Sequence, residues 1–449
     1  DFGDLPLEEK YILEIKKLNI PLIAESRWLN GVSAYMTSAQ MKKVKALEFV
    51  SEVSAVIKLS KQEFVTLFDF SFDEKNFLLP RQQHRFDYGK SAKQMDAVNV
   101  PNVHDINITG KGVFMANLDD GFEWRTHQAL NNLSILGEQD FVNGDGNTFK
   151  EDYNKYPEQR SQGEHGTATL SCMSGKYDGK LISPSFDADI LLAKTEYVSS
   201  ETPMEEDFWL EACEWVEMRG VDIITSSLNY KIYDSPYDSN TYKYSDLNGN
   251  RAITTIAADR CAYLGIVVCN SIGNYYQTPE PSITTPADGD SVISVGAVNM
   301  QGKIAGFSSN GPTVDGRIKP DVVAPGVGVW VAVAKTISSN DSTYKYADGT
   351  SFAAPITAGV CGLILSAHPE LTPMQVREAL RNTANNSSSP NNVYGWGLIN
   401  AYDAVLYWGP VWSNKPELEY KDDGLYIRIF LVSKEVIDMD AVNFSYQDQ

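Results

Sequence analysis

The chain runs to 449 residues, 43% of them hydrophobic and 22% charged, an ordinary folded composition with length for two or three domains. Its 59 acidic against 38 basic residues leave a formal charge of −21. That balance excludes nucleic acid or an anionic membrane as the main partner, because phosphate binding draws on a local excess of Lys and Arg.

Residues 7–60 read as a small separate unit. Tyr11–Leu18 and Trp28–Met36 alternate or mix apolar residues, and the second reads as part of a strand pair. Thr37-Ser38-Ala39-Gln40 is a capping-box word that opens a helix over Met41–Phe49, and Val53–Leu59 reads as another strand. Residues 60–100 are polar and poorly periodic, which marks a linker. From about Gly110 to Ala404 strands alternate with helices. Strands read at Val113–Leu118, Asp189–Lys194, Asp222–Ser226, Ile266–Cys269 and Val292–Val295, with helices at Glu205–Arg219 and Thr254–Leu264. Such alternation predicts a mostly parallel sheet covered by helices on both faces. After Gly409 the pattern turns to period two in Leu425–Leu431, the mark of a short β segment. No apolar run approaches the roughly 18 residues of a membrane span. The chain starts at Asp1 rather than Met, so a preceding segment such as a secretory signal is expected. Cys172, Cys213, Cys261, Cys269 and Cys361 make no metal spacing or disulfide framework and read better as buried thiols than as a pair; one disulfide stays open, and the odd count leaves at least one cysteine without an intrachain partner.

Three words carry chemistry. Asp119-Asp120-Gly121 ends the Val113–Leu118 strand, where an open α/β sheet presents functional carboxylates. His165-Gly166-Thr167 opens a helix of small residues, and an imidazole at its mouth can take a proton from a hydroxyl while an Asp fixes its other nitrogen. Gly349-Thr350-Ser351-Phe352-Ala353-Ala354-Pro355 opens a second such helix, with Pro355 tolerated in a first turn. A nucleophile there would have the positive end of the helix and its own N–H beside a developing oxyanion. Asn274, in a Gly-Asn turn after Val267–Asn270, offers a second donor. The order Asp, His, Ser points to one of the known arrangements of a charge-oriented hydroxyl nucleophile. Gly175–Lys180 is one residue short of a phosphate loop and lacks Ser or Thr after its Lys.

With these words in place the chain resembles the subtilisin-like serine proteases over roughly residues 105–405. The blocks Gly110–Val113, Ser294–Val298, Phe307–Pro312 and Lys319–Gly326, with Pro286-Ala287-Asp288, strengthen the likeness. The resemblance implies a three-layer α/β/α fold and a serine endopeptidase acting through an acyl-enzyme. In it Asp119 orients the imidazole, His165 is base then acid, Ser351 attacks and Asn274 donates to the oxyanion. It also implies that Ser227, Leu228, Asn229 and Gly273 bind extended substrate, with Asn229 replacing the Gly usual in the family. Asp120 departs from the family's usual Ser or Thr and resembles the Asp-Asp-Gly of kexin-type processing enzymes, but the rest of the His word does not. Sedolisin-type acid proteases use Glu in place of His, so His165 disfavours them.

The N-terminal unit resembles the family's inhibitory propeptide. The domains expected are thus a propeptide at 1–60, a linker with the self-cleavage site at 61–100, a catalytic domain at 101–408 and a β segment at 409–449. The enzyme expected is a secreted, self-inhibited monomer that acts on proteins or peptides, binds no nucleic acid and spans no membrane. Its chemistry calls for no cofactor. Structural calcium is common in the family, but Asn143–Asn147 and Asp246–Asn250 lack the Gly and distant Glu of a full calcium loop and read better as turns.

Overall fold

The computed structural model describes residues 5–54, 84–149, 162–198, 201–234, 237–334, 343–413, 417–421, 424–428 and 431–434. The N-terminal unit is built from α1 (Glu9–Lys16), β1 (Leu22–Ser26), β2 (Gly31–Ala34) and α2 (Ser38–Lys45). Tyr11–Leu18 falls largely in α1, where Ile12 and Ile15 lie three apart and share the buried face. The partner of β2 is β1, an antiparallel strand that the sequence pattern did not single out. The capping box is made as read: Thr37 Oγ1 accepts the Gln40 N–H at 3.2 Å and Gln40 Oε1 accepts the Thr37 N–H at 2.9 Å. The helix ends at Lys45, short of Phe49. Leu47, Phe49, Val50 and Val53 leave it to cover Ile15, Ile20 and Val44, and the Phe49 ring stacks on Tyr11 at 4.3 Å. The strand expected at Val53–Leu59 lies outside the described residues from 55 on, and Val53 and Ser54 carry no regular structure.

Residues 84–100 are not linker. They form a 3₁₀ turn at Gly89–Ser91, α3 (Ala92–Ala97) and the start of α4 (Val100–Asp105). Tyr88, Met95, Val98 and Val100 are buried in the main core. Their spacing fits no single helix period because two short helices break at Asn99, which takes a left-handed conformation.

The main body adds, in chain order, β3 (Phe114–Asp119), β4 (Ser134–Asp140), α5 (Glu164–Ser174), β5 (Lys176–Tyr177), β6 (Leu181–Ile182), β7 (Asp189–Lys194), α6 (Met204–Glu217), β8 (Ile223–Ser226), α7 (Ile253–Tyr263), β9 (Val267–Ser271), β10 (Ile293–Val298), β11 (Val322–Pro325), β12 (Val329–Val333) and β13 (Thr343–Ala347). It closes with α8 (Thr350–Ala367), α9 (Pro373–Thr383) and α10 (Ala401–Val405). Seven strands make one sheet in the order β11-β10-β9-β8-β3-β7-β4. Every pairing in that sheet is parallel.

Consecutive strand residues face opposite layers. Met115, Ile190, Ile223 and Val267 join the core beneath α5 and α8. Ala116, Leu191, Ile224 and Val268 join the core beneath α6 and α7. This is the three-layer α/β/α arrangement expected. From β3 the chain runs to the edge strand β4, returns to β7 beside β3 and then crosses to β8 through β11 on the other side; ligands of open α/β sheets bind beyond the carboxyl ends of such strands.

Helix α8, 18 residues, is long and apolar enough to cross a membrane, but 89% of it is buried. The sequence pattern missed this stretch because Gly, Thr and Ser interrupt its apolar residues, and its burial makes it the central core helix. All five cysteines are buried free thiols, and Cys269 on β9 faces Cys361 on α8 with the sulfurs 3.7 Å apart. The tail forms two antiparallel pairs, β14 (Val411–Trp412) with β17 (Leu431–Val432) and β15 (Glu417–Lys421) with β16 (Gly424–Arg428).

The N-terminal unit docks on α6 through the turn between its strands. The buried Glu214 carboxylate accepts the Arg27 N–H at 3.1 Å, the Trp28 N–H at 3.2 Å and the Ser26 hydroxyl. Arg27 adds ion pairs to Glu214 and Glu217. Hydrogen bonds to a buried charged group contribute roughly 1.5–3 kcal/mol each. Glu214→Ala should therefore weaken the docking by about 2 kcal/mol or more. Amide hydrogen exchange at residues 24–30 should speed up at least tenfold while α5 and α8 stay protected.

Candidate active site

Asp119 is the last residue of β3 and is fully buried. A carboxylate there must be paired or hydrogen-bonded. Its Oδ1 accepts the His165 Nδ1 proton at 2.7 Å and the Asp120 N–H at 2.8 Å, and Oδ2 accepts the Thr169 hydroxyl at 2.8 Å. A carboxylate only accepts, so the neutral imidazole carries its proton on Nδ1 and leaves Nε2 as the base. Thr169 went unnoticed in the sequence, although it lies one helical turn beyond His165 and so shares its face of α5. Gly166 lets that turn come close: a Cβ there would fall on the Gly121 carbonyl oxygen and within 3.0 Å of the Asp119 Cβ.

Burial works to lower the His165 pKa. The charge and hydrogen bond of Asp119 and the charge of Asp120 outweigh that, against a smaller opposing effect of Lys345, and hold the imidazole up at about 9.

Ser351 sits in the first turn of α8 and is 8% exposed. The ring of the next residue, Phe352, lies 6.1 Å from the His165 ring, so the α8 and α5 N-termini meet here. The Ser351 hydroxyl is turned to the Ser227 carbonyl at 3.4 Å rather than to the imidazole. Pro355 lies inside α8, past the first turn where the sequence pattern put it. Having no N–H, it leaves the Ser351 carbonyl without its i+4 partner. The Ser227 hydroxyl fills that gap at 2.7 Å.

Asn274 is exposed just beyond β9. Its side chain accepts from the Thr350 N–H and hydroxyl, both at 3.0 Å. A main-chain N–H can only donate, so the atom facing Thr350 is the oxygen and the Nδ2 end is what remains for a ligand. Gly273, at φ 110°, turns the chain into this position.

Of the expected substrate residues, Ser227 and Leu228 are buried and Asn229 is partly buried after β8. The Asn229 amide bonds the Ser271 carbonyl at 2.7 Å and its oxygen accepts the Ser271 hydroxyl at 3.0 Å. The side chain that stands for the usual Gly is thus tied to the neighbouring strand. Gln162, which no sequence motif marked, donates to the main-chain oxygens of Asp120 and Glu196.

The loops considered for calcium spend their oxygens on themselves. Asp145 and Asn147 cap the N–H groups of Asn147 and Phe149, and Asn248 caps that of Asn250. Asp140, at the base of the first loop, holds the buried Lys194 ammonium at 2.7 Å, so a cation is already supplied. These residues do not make the six to eight oxygen ligands calcium takes. A second acidic group, Glu196, Glu201 and Glu205, brings its carboxylates within 4.8 Å of one another. Burial first, then like-charge repulsion, pushes Glu196 and Glu205 well up, toward the neutral form.

The arrangement can move a proton from a hydroxyl to a carboxylate-oriented imidazole beside an amide donor. Comparison with known proteins adds the family and the fold. Residues 110–397 match the model of the subtilase family, and residues 1–66 match the peptidase S8 propeptide domain of Bacteroidota. Subtilisin E of Bacillus subtilis is 28% identical over 406 residues, 90% of this chain and 92% of that protein. Subtilisin DY of Bacillus licheniformis is 32% identical over 274 residues, 61% of this chain and 85% of that protein. Among solved structures, fervidolysin from Fervidobacterium pennivorans, a keratinolytic enzyme related to subtilisin, superposes with a TM-score of 0.63 at 20% identity, covering 95% of this chain and 66% of that one. The chain belongs to the subtilase family of serine peptidases and carries an N-terminal propeptide domain.

Proposed function

We propose that Asp119, His165 and Ser351 act as a triad that hydrolyses peptide bonds through an acyl-enzyme. The observation that carries this reading is the 2.7 Å bond from His165 Nδ1 to the buried Asp119, beside the α8 turn that holds Ser351. Rotation about the Ser351 side chain moves its hydroxyl from the Ser227 carbonyl to His165 Nε2. The imidazole takes the proton as Oγ attacks the scissile carbonyl, and Asp119 stabilises the imidazolium. The oxyanion meets the Asn274 Nδ2 protons and the Ser351 N–H, whose place in the first turn of α8 leaves it without an intrahelical acceptor. His165 then protonates the leaving amine, and water repeats the sequence on the ester. No step calls for a cofactor.

Substrate enters as an extended peptide along Ser227, Leu228 and Asn229, with Gly273 keeping the turn beside Asn274 open. Main-chain pairing there gives affinity with little reading of side chains. The propeptide serves as intramolecular inhibitor, and its contact with α6 supports that role. The self-cleavage window expected at residues 61–100 narrows, since Tyr88, Ser91 and Met95 are buried; we place the cut before residue 84, in the part that lies outside the described residues. The enzyme we envisage is a monomer that works outside the cell on protein or peptide substrates.

A fluorophosphonate probe should label the activated enzyme at Ser351. Ser351→Ala should abolish labelling and lower kcat by about 10⁶, the magnitude known for subtilisin itself. Residual hydrolysis within tenfold of the parent would remove Ser351 from the reaction. The unprotonated imidazole is the active form, so kcat/KM should rise with pH toward a plateau above about 9. At pH 7 about one part in a hundred of the plateau is expected.

A further inference from the structure

Asp120 is a carboxylate in the site that the triad leaves without a role. It is 6% exposed and lies directly after Asp119. Its Oδ1 accepts the Gly166 N–H at 2.7 Å, and its Oδ2 receives a longer bond of 3.4 Å from the His165 N–H. Both donors belong to the first turn of α5, where N–H groups lack intrahelical acceptors and the helix presents its positive end. The residue at the N-cap of α5 is Gly163, with no side chain to accept them. Asp120 therefore supplies, from the end of β3, the cap that the local sequence of α5 lacks.

The same group acts through space. Asp119, Asp120 and His165 each place a side-chain oxygen or nitrogen within 4.8 Å of the others. The imidazole thus faces two carboxylates, one bonded through Nδ1 and one alongside. Burial and the neighbouring Asp119 push the Asp120 carboxyl upward, while the His165 charge and the two N–H bonds pull it down. The other charged groups facing the pair are Glu196, after β7, and Lys345 on β13. Glu196 is pushed toward its neutral form by burial and receives the Tyr230 hydroxyl. Lys345 acts on the imidazole in the opposite sense to both carboxylates.

We propose that Asp120 is a positioning residue for His165 and also tunes it electrostatically. It clamps the first turn of α5 and adds negative charge beside the imidazole, raising the pH at which the enzyme begins to work. The proposal rests on His165 being the general base. The sign follows directly. An ionised Asp120 favours imidazolium, so losing the charge lets the imidazole shed its proton at lower pH and extends activity downward.

The test uses the full chain carrying Ser351→Ala, with histidine labelled by ¹⁵N. The five histidines are told apart by the signal lost in His165→Gln. Asp120→Asn keeps an acceptor for the Gly166 N–H and removes the charge. It should lower the His165 midpoint by about one pH unit, and in the active enzyme the acid limb of kcat/KM should fall by the same amount with the plateau kept within a few-fold. Asp120→Leu removes both functions and should add a plateau loss of at least tenfold, from a misplaced imidazole. Should Asp120→Asn fail to fold, Asp120→Ser, uncharged and able to accept a hydrogen bond, is read in the same way. A His165 midpoint unchanged or raised in the uncharged variant would overturn the proposal. A lowered midpoint with an unmoved acid limb would uphold the coupling and instead refute His165 as the base.

Discussion

A carboxylate held where water does not reach must find its donors within the fold, and that demand at Asp119 organises the site. Desolvating an ionised carboxylate without partners is far more costly than any single contact can offset. Three donors meet the demand: the His165 ring, the Asp120 N–H and the Thr169 hydroxyl. Two of them ride on α5, one turn apart, so the helix must lie against the end of β3 at one height and one rotation. Gly166 makes the approach sterically possible. The orientation of the imidazole is thus a by-product of satisfying a buried charge.

The Ser351 side is built on the adjacent strand. β8 pairs with β3 so that Ser226 lies opposite Leu118, and Asp119 and Ser227 follow as neighbours across the sheet, where strands run about 4.8 Å apart. Ser227 grips the α8 turn twice, giving its hydroxyl to the Ser351 carbonyl and accepting the Ser351 hydroxyl on its own carbonyl. The first bond exists because Pro355 removes the helical partner of that carbonyl. One register between two strands therefore fixes the separation of the two helix mouths. The second bond turns the Ser351 hydroxyl toward β8 rather than toward the imidazole.

What could be read in advance divides along physical lines. Strong local signals were legible: the β7 bounds match residue for residue, the Thr37 capping box is formed, and the helix openings at His165 and Ser351 stand where their small residues put them. Interactions made only by tertiary packing were not. Nothing near Asp120 in sequence announces that it caps a helix 44 residues on, and nothing near Ser227 announces the vacancy left by Pro355. Residues 84–100 looked like linker because average polarity hides four apolar side chains, Tyr88, Met95, Val98 and Val100, spread over two short helices and the segments beside them. Tyr11–Leu18 gave an apolar mix without a clear period, and burial of Ile12 and Ile15 settled it as helix.

The clasp at Glu214 bears on how the propeptide domain and the main body can drift apart over generations. Its oxygens read two peptide N–H groups and one small hydroxyl, features that nearly any tight turn of that shape can present. The leader can then exchange most of its surface residues and keep its seat, provided the bend between its two strands survives. On the other side the same seat hangs on two acidic side chains of one helix, Glu214 and Glu217. Tolerance is therefore lopsided: broad in the propeptide domain, narrow on the helix that seats it.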